Sequence, residues 1–237
     1  DASLMTKNLG ENYQPGYSFW TIFTLFFPAV TGFTQGISLS GVLKNPQRSI
    51  PLGTFAAVFV GFVVYAVEMV LLAGTASSTE LIENYDIMRL VSFVPVAITL
   101  GVLSATLSSA LGSFMGAPQI LHAISKDKLF PFMHILSQNH QGEVLEQPRR
   151  TVMVTLVIAA ISIAVADVNS IAPVITMFFL ISYGMSNYAT FIESYSKNPS
   201  FRPTFKLNHW LISFAGVVFI VFLMLMIDPL SAFVAFG

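Results

Sequence analysis

The sequence contains no cysteine among its 237 residues, and charged residues make up only 10% of it. The lack of cysteine excludes disulfides, thiolate metal sites and a cysteine nucleophile. The low charge content excludes an ordinary soluble domain, because such domains carry about 25% charged residues. With 54% hydrophobic residues and a mean hydropathy of +0.73, the composition indicates an all-α, polytopic membrane protein.

Sequence motifs for catalysis and for nucleic-acid binding are also missing. There is no G-x-S-x-G turn, no H-E-x-x-H pair, no P-loop and no glycine-rich nucleotide turn. The four histidines show no metal-ligand spacing, and the basic residues are scattered along the chain. We therefore expect a protein that is not an enzyme, that holds no cofactor and that does not bind nucleic acid.

Apolar runs separated by polar connections predict the membrane topology. Residues 1–18 are expected to form a polar extracellular lead-in loop, and residues 19–237 a transmembrane domain. Six spans and a truncated seventh are predicted at about residues 19–43 (broken), 51–74, 90–125, 151–166, 170–195, 210–227 and 229–237. The uncharged run before Lys126 exceeds the roughly 20 residues of one crossing. We therefore expect a re-entrant or tilted extension of the third span.

The distribution of Lys and Arg predicts which side of the membrane each connection faces. If loop 44–51 is cytoplasmic, the alternation of spans puts loops 125–150 and 196–209 on the same side. Only Lys7 and Arg89 then lie outside, which agrees with the positive-inside rule. We expect a multi-pass protein of the cell membrane. The basic residues predicted to lie inside are Lys44, Arg48, Lys126, Lys128, Arg149, Arg150, Lys197, Arg202 and Lys206.

The segment Phe26–Gly41, FFPAVTGFTQGISLSG, places helix-interrupting residues within an apolar stretch. Pro28 lacks a backbone donor, and Gly32 and Gly36 add backbone freedom. We therefore predict a helix that breaks near residues 31–36 and resumes as a second half-helix. Inside a bilayer, unpaired backbone is tolerated only where it is buried in protein or lines a polar cavity. A simple kink is the alternative, because Gly and Pro are common in membrane helices.

A break of this kind presents two helix ends with opposite partial charges. We expect free carbonyls around Pro28 and Thr31 to attract a cation, and the backbone amides of Gly32, Phe33 and Thr34 at the start of the second half-helix to attract an anion. Thr31 adds a hydroxyl oxygen to the cation seat. The small Gly32 lets an anion approach the amides.

Two further groups of polar residues lie in apolar spans. Ala105 and Ser109 are one helical turn apart and Ser108 is adjacent, so a carbonyl and hydroxyls can face one monovalent cation. Close helix packing through small residues is the alternative for this group. Tyr183 in the fifth span is a hydrogen-bond donor that a buried anion would satisfy, although tyrosines at such positions more often serve packing. Glu68 lies near the end of its span and is left out of the site.

On these residues the sequence resembles the cation-chloride cotransporters, within the amino acid-polyamine-organocation superfamily of LeuT-type transporters. The resembling segments follow the family's order over nearly the whole chain: FFPAVTG, ISLSGVLKNPQRSIPLGT, GVLSATLSSALGS, APQILHAISKD, NSIAPVITMFFLISYGMSNYATF and FRPTFK. The resemblance implies the second half of an inverted-repeat fold whose sixth helix is the broken one. The N-terminal transmembrane half, which supplies the other side of every site, is then missing, so this part alone is not expected to transport.

The resemblance also implies a role for each candidate residue. It implies a potassium site at Pro28 and Thr31, a chloride site at Gly32, Phe33, Thr34 and Tyr183, and a sodium site at Ala105, Ser108 and Ser109. Sodium, potassium and chloride are therefore the expected bound ions. The expected partners are these ions, the lipid bilayer, the N-terminal transmembrane half and a possible second copy in a homodimer.

The leading hypothesis is a secondary symporter that couples chloride to sodium, potassium or both by alternating access. An amino acid or polyamine permease of the same superfamily is the first alternative, because the same amides can hold a substrate carboxylate. The break contains no acidic residue to receive an ammonium group, which disfavours cationic substrates. A non-transporting membrane partner that regulates a related transporter is the second alternative.

Overall fold

A computed structural model describes residues 1–10, 13–38, 40, 43–130, 132–138, 149–165, 168–203, 208–229 and 232 of the chain. The regular elements of these residues are helices, which confirms the all-α fold class. In chain order they are α1 (Ala2–Asn8), α2 (Phe19–Phe26), a 3₁₀ turn (Phe27–Val30), α3 (Gln35–Ser38), α4 (Pro46–Thr75), α5 (Ser78–Glu83), α6 (Ile87–Val91), α7 (Pro95–Lys126), α8 (His134–Ser137), α9 (Arg149–Val165), α10 (Val168–Tyr195) and α11 (Trp210–Ile227).

Four helical segments are long and apolar enough to cross a membrane, judged by length and composition. They are Pro46–Thr75, Pro95–Lys126, Ile171–Tyr195 and Trp210–Ile227. The apolar stretch Phe19–Val30 is shorter, and α9 has 17 residues. Except for Pro229 and Ala232, the span expected at 229–237 lies outside the described residues. The four long helices support a polytopic membrane protein.

Helices extend into segments whose polarity suggests loops. Within the lead-in expected at 1–18, α1 begins after Asp1, whose carboxylate accepts a hydrogen bond from the Ser3 amide at 3.0 Å. Such a side-chain cap satisfies an amide that the helix leaves free. Helix α4 begins at Pro46, inside the connection expected at 44–51. Proline is favoured in the first helical turn because its missing N–H has no intrahelical partner there.

Helix α7 is one continuous element of 32 residues. At about 1.5 Å per residue it is about 48 Å long, which exceeds the roughly 30 Å hydrocarbon core. Of the two alternatives that we expected for the third span, a re-entrant or a tilted extension, the continuous α7 agrees with the tilted one. A long uncharged run does not require a chain reversal, because a helix can continue past the bilayer edge or tilt within it.

Contacts divide the chain into two compact units. We call Asp1–Asn12 with Gly32–Val165 the first unit, and Tyr13–Thr31 with Ala166–Gly237 the second unit. One boundary between them falls at the Thr31–Gly32 peptide bond, which is the predicted break.

In the first unit, polar side chains satisfy the ends of helices. The Asn8 side-chain amide donates to the carbonyls of Ala73 and Ala76 at 2.9 and 2.8 Å, at the end of α4. The Arg150 guanidinium donates to the carbonyls of Ile135 and Gln138 at 2.6 and 2.7 Å, at the end of α8. A cation at this position also complements the negative end of the helix dipole.

The capping box of α5 also lies in the first unit, in a polar connection. The Ser77 hydroxyl accepts from the Glu80 amide, and the Glu80 carboxylate accepts from the Ser77 amide and hydroxyl. Hydrogen bonds from the Ser77 side chain and then from its backbone lower the pKa of Glu80, because they stabilise the ionised carboxylate.

In the second unit, α10 and α11 form a close helix pair against which α2 and the 3₁₀ turn pack. The buried core consists of Met177, Leu180, Leu223, Met224 and Ala232, with Trp20, Phe23 and Phe27 packed around it. Burial of these large apolar side chains fixes which face of α10 is turned toward the broken helix.

Two glycines allow α10 and α11 to approach each other closely. A Cβ at Gly184 would lie 3.2 Å from Cγ2 of Ile220, and one at Gly216 would lie 2.7 Å from Oδ1 of Asn187. The Asn187 amide donates to the carbonyl of Tyr183 at 2.9 Å, so this side chain has little freedom to move away. Small residues at such contacts are typical of membrane helix pairs.

We expect Gly216→Ala to destabilise the second unit. The added methyl group either displaces Asn187 from the Tyr183 carbonyl or separates the helices, which costs about 1–3 kcal/mol. The measurement is the Tm of the purified full-length protein in detergent. The control is Gly61→Ala in α4, where an added Cβ meets no described atom within 4 Å.

The same contact predicts that the effects of substitutions at Gly216 and Asn187 on Tm are not additive. In an Asn187→Ala background, Gly216→Ala should lower the Tm much less, because the clashing amide is gone. Equal effects of Gly216→Ala in both backgrounds would contradict this account of the helix contact.

Candidate functional site

The first half of the broken helix ends because of Pro28 and the residues that follow it. Helix α2 ends at Phe26 and continues as a 3₁₀ turn that contains Pro28 and ends at Val30. Thr31 is extended, with φ −92° and ψ −177°, and Gly32 has φ +94°. The interruption predicted from the sequence is therefore present, and it is a complete stop in helical pairing rather than a kink.

Pro28 deprives an upstream carbonyl of its helical donor, and a neighbouring helix replaces it. An α-helix would pair the amide of residue 28 with the carbonyl of Thr24, but proline has no N–H. The Thr176 hydroxyl of α10 donates to that carbonyl at 2.8 Å. Both threonines are buried, with 4% of Thr24 and 0% of Thr176 exposed. Burial makes an unpaired carbonyl costly, so the contact stabilises the end of α2.

The Pro28 carbonyl accepts hydrogen bonds from Thr31. The Thr31 amide donates to it at 3.2 Å and the Thr31 hydroxyl at 2.6 Å. Our expectation of a free carbonyl at Pro28 is thus not met, because Thr31 folds back on the turn. The same geometry nevertheless puts two oxygen atoms, the Pro28 carbonyl and Oγ1 of Thr31, within contact distance of one cation when the hydroxyl rotates. Both residues are half-buried.

Gly32, Phe33 and Thr34 form the turn after the break. Gly32 is exposed, and a Cβ there would meet no described atom within 4 Å, so its backbone is open to approach. Helix α3 follows at once but covers only Gln35–Ser38. So short a helix has a weak dipole, and any attraction for an anion would come chiefly from individual amides. Leu39, Gly41 and Val42 lie outside the described residues.

Tyr183 lies in the second unit together with Pro28 and Thr31. Its hydroxyl oxygen is buried, and its ring stacks on Phe179 with 5.8 Å between centroids. Helix α10 contacts both α2 and the 3₁₀ turn. The structure therefore brings Tyr183 into the same compact unit as the two residues expected to bind a cation, although 152 positions separate Tyr183 from Thr31 in the sequence.

Ala105, Ser108 and Ser109 lie along α7 in the first unit, and all three are exposed. Their spacing on this continuous helix places Ala105 and Ser109 one turn apart on one face. Thr106 in the same turn uses its hydroxyl on the carbonyls of Val102 and Leu103, at 2.8 and 3.1 Å. Helix α3 contacts α7 within this unit, so the turn of Gly32–Thr34 belongs to the same unit as the three residues.

Thr176 is the residue at this site that sequence reasoning did not identify. Pro28 signals that the Thr24 carbonyl needs another donor. The sequence does not reveal which donor serves, because hydroxyls in this chain commonly bond to their own helix. Thr155 and Thr190, for example, donate to the carbonyls four residues earlier, at 2.8 and 2.9 Å.

Comparison with known proteins gives matches over nearly the whole chain. The model of the amino acid permease family matches residues 1–236. Solute carrier family 12 member 1 of Mus musculus is 31% identical over 272 residues, which cover 99% of this chain and 25% of that protein. Solute carrier family 12 member 2 of Squalus acanthias is 32% identical over 91% of this chain and 21% of that protein. Member 9 of Danio rerio is 33% identical over 97% of this chain and 26% of that protein.

These matches leave most of each relative uncovered. The chain spans about a quarter of the length of the curated relatives it matches. Residues outside the matched segment therefore make up most of each relative.

We expect Gly32→Ala to destabilise the turn at the break. A side chain at φ +94° meets its own backbone, which costs about 1–2 kcal/mol. The matched control is Gly36→Ala in α3, which is also open but helical. Thermal unfolding of the purified full-length protein should show a lower Tm for Gly32→Ala than for Gly36→Ala. Equal Tm values would show that the turn does not require glycine.

Proposed function

The chain belongs to the amino acid permease family of membrane transporters and to its cation-chloride cotransporter branch, and from this premise we propose that it forms part of a secondary symporter. This transporter couples chloride to sodium, potassium or both by alternating access. The observation that carries the proposal is the stop in helical pairing at Thr31–Gly32. A broken helix at membrane depth supplies backbone groups for a solute where an intact helix would have none to offer.

The cation seat that we propose consists of the Pro28 carbonyl and Oγ1 of Thr31. These oxygens are 2.6 Å apart, and the Thr31 proton now lies between them. A potassium ion would replace that proton as their shared partner, because the hydroxyl can rotate its proton away while its lone pairs face the ion. The carbonyl end of α2 adds a partial negative charge.

The anion seat that we propose consists of the amides of Gly32, Phe33 and Thr34 with the hydroxyl of Tyr183. The open backbone at Gly32 supports access to the amides. The buried position of the Tyr183 hydroxyl oxygen supports a role in holding chloride, because a hydrogen bond to an ion strengthens where water is scarce.

The sodium seat that we propose lies on α7, at the Ala105 carbonyl and the hydroxyls of Ser108 and Ser109. Neutral oxygen ligands suit a monovalent hard cation, which needs little compensation of charge. We assign the other half of each site to a further transmembrane part, because the chain covers about a quarter of its relatives.

The orientation that we propose puts loops 44–51, 125–150 and 196–209 in the cytoplasm of a cell-membrane protein. Residues 131, 139–148 and 204–207 of these loops lie outside the described residues. Alternation of the spans then makes α2 and α10 run in the same direction, from outside to inside. A homodimer is a further proposal, which cross-linking of the full-length protein would test.

An amino acid permease is the second candidate, and the description of the matching family model favours it. Tracer uptake by cells that express the full-length protein separates the two candidates. We expect uptake of rubidium, as a potassium substitute, that requires chloride and falls when sodium is replaced. Amino acid uptake independent of chloride would favour the permease. Surface expression without uptake of either kind would favour a non-transporting regulatory partner.

We expect Thr31→Ala to weaken the dependence of transport on potassium. Removal of Oγ1 takes away one of two neighbouring oxygens, and the half-saturating potassium concentration should rise about tenfold. The control is Thr155→Ala, which removes a hydroxyl bonded within α9. An unchanged potassium dependence at equal surface expression would count against the cation seat.

We expect Tyr183→Phe to raise the half-saturating chloride concentration by about tenfold or more, because a hydrogen bond to an ion is lost. The control is Tyr188→Phe, on the same helix but 47% exposed. Chloride titration of rubidium uptake measures both variants. Equal chloride dependence in the two variants would remove Tyr183 from the anion seat.

A further inference from the structure

The hydrogen bond between Thr176 and Thr24 lies at the point where the broken helix loses its regular pairing. The Thr176 hydroxyl donates to the Thr24 carbonyl at 2.8 Å, four residues before Pro28. Neither residue belongs to the ion seats proposed above. Because both residues are buried, water does not easily replace the donor. The bond therefore fixes the position of α10 along the axis of α2.

Thr176 shares a face of α10 with Tyr183. Residues 176, 180 and 183 follow the i, i+4, i+7 spacing of one helical face. Leu180 between them is 1% exposed and belongs to the core on which Phe23 and Phe27 pack. The face that carries the Thr176 bond is therefore the face that meets the broken helix.

The two segments that follow this hydrogen bond, one in α10 and one in the broken helix, rise by similar distances. Seven residues separate Thr176 from Tyr183, a rise of about 10 Å on an α-helix. From Thr24 to Val30 the chain also rises about 10 Å, because the 3₁₀ turn that ends at Val30 rises about 2 Å per residue, and Thr31 follows directly. With α2 and α10 running in the same direction, as in the proposed orientation, Tyr183 and Thr31 reach similar depth.

We propose that Thr176 is a positioning residue, which sets the depth of Tyr183 relative to the Pro28–Thr31 turn and so aligns the anion donor with the cation seat. This inference rests on the proposed ion-transport function. Without the hydroxyl, α10 can shift or rotate against α2, because the packing of Phe23 and Phe27 on the core around Leu180 is apolar and non-directional. Such a shift would weaken chloride and potassium binding together, whereas loss of a single ligand affects chiefly one ion.

The test compares Thr176→Val, which keeps the shape and removes the hydroxyl, with Thr176→Ser, which keeps the hydroxyl. Rubidium uptake by the full-length protein is measured against potassium and against chloride, per copy at the cell surface. Thr176→Val should raise both half-saturating concentrations about tenfold, with a smaller change in maximal rate. Thr176→Ser should stay within about twofold of the wild type.

The matched control is Thr190→Val on the same helix, whose hydroxyl bonds to its own helix at the Ser186 carbonyl. It should leave both half-saturating concentrations unchanged. Wild-type ion dependence in Thr176→Val, or equal defects in Thr176→Val and Thr176→Ser, would overturn the proposal. A shift for only one of the two ions would also overturn it.

A second measurement does not depend on transport. Amide hydrogen exchange of the purified full-length protein should become at least about tenfold faster over residues 27–31 in Thr176→Val and stay unchanged in Thr190→Val. Unchanged exchange in Thr176→Val would overturn the positioning role even if that variant fails to reach the cell surface. If the wild type shows no ion-dependent uptake, the proposed function fails, while the exchange result still decides whether Thr176 holds the broken helix.

Discussion

Within hydrocarbon, each backbone amide and carbonyl needs a partner from the protein, and Pro28 removes one such partner at the end of α2. The consequences follow along the chain. The Thr24 carbonyl accepts a hydrogen bond from the Thr176 hydroxyl, and the Pro28 carbonyl accepts hydrogen bonds from the amide and the hydroxyl of Thr31. At Gly32 the backbone turns through φ +94°, and helical pairing stops. The break is thus stabilised on its first side by specific hydrogen bonds.

The same constraint connects the fold with the proposed transport. A stop in helical pairing places polar backbone in an apolar segment, and such backbone is tolerated in a membrane only where it is buried in protein or lines a polar cavity. Pro28 and Thr31 share the second unit with Tyr183, while the turn of Gly32–Thr34 shares the first unit with the serines of α7. The chain boundary between the units coincides with the break.

Much of the fold could be predicted because its signals are local. Low charge and long apolar runs identify a membrane protein, and Pro28 with Gly32 marks the break. The helical stretch at Ala2–Asn8 and the start of α4 at Pro46 were not predicted. Each depends on features that hydropathy does not measure. A side-chain cap from Asp1 starts α1, and proline is favoured in the first turn of α4.

The sequence by itself determined three things. Composition determined the membrane class, residue order determined the family, and the missing N–H of one proline determined where a helix is interrupted. The tertiary structure alone decided which donor replaces the missing N–H. Only packing of α10 against α2 brings Thr176 to the Thr24 carbonyl, across 152 residues of sequence. Only the close approach of α11 brings Gly216 against the side chain of Asn187. Such pairings depend on which helix faces meet, and burial of large apolar side chains over the whole unit sets those faces.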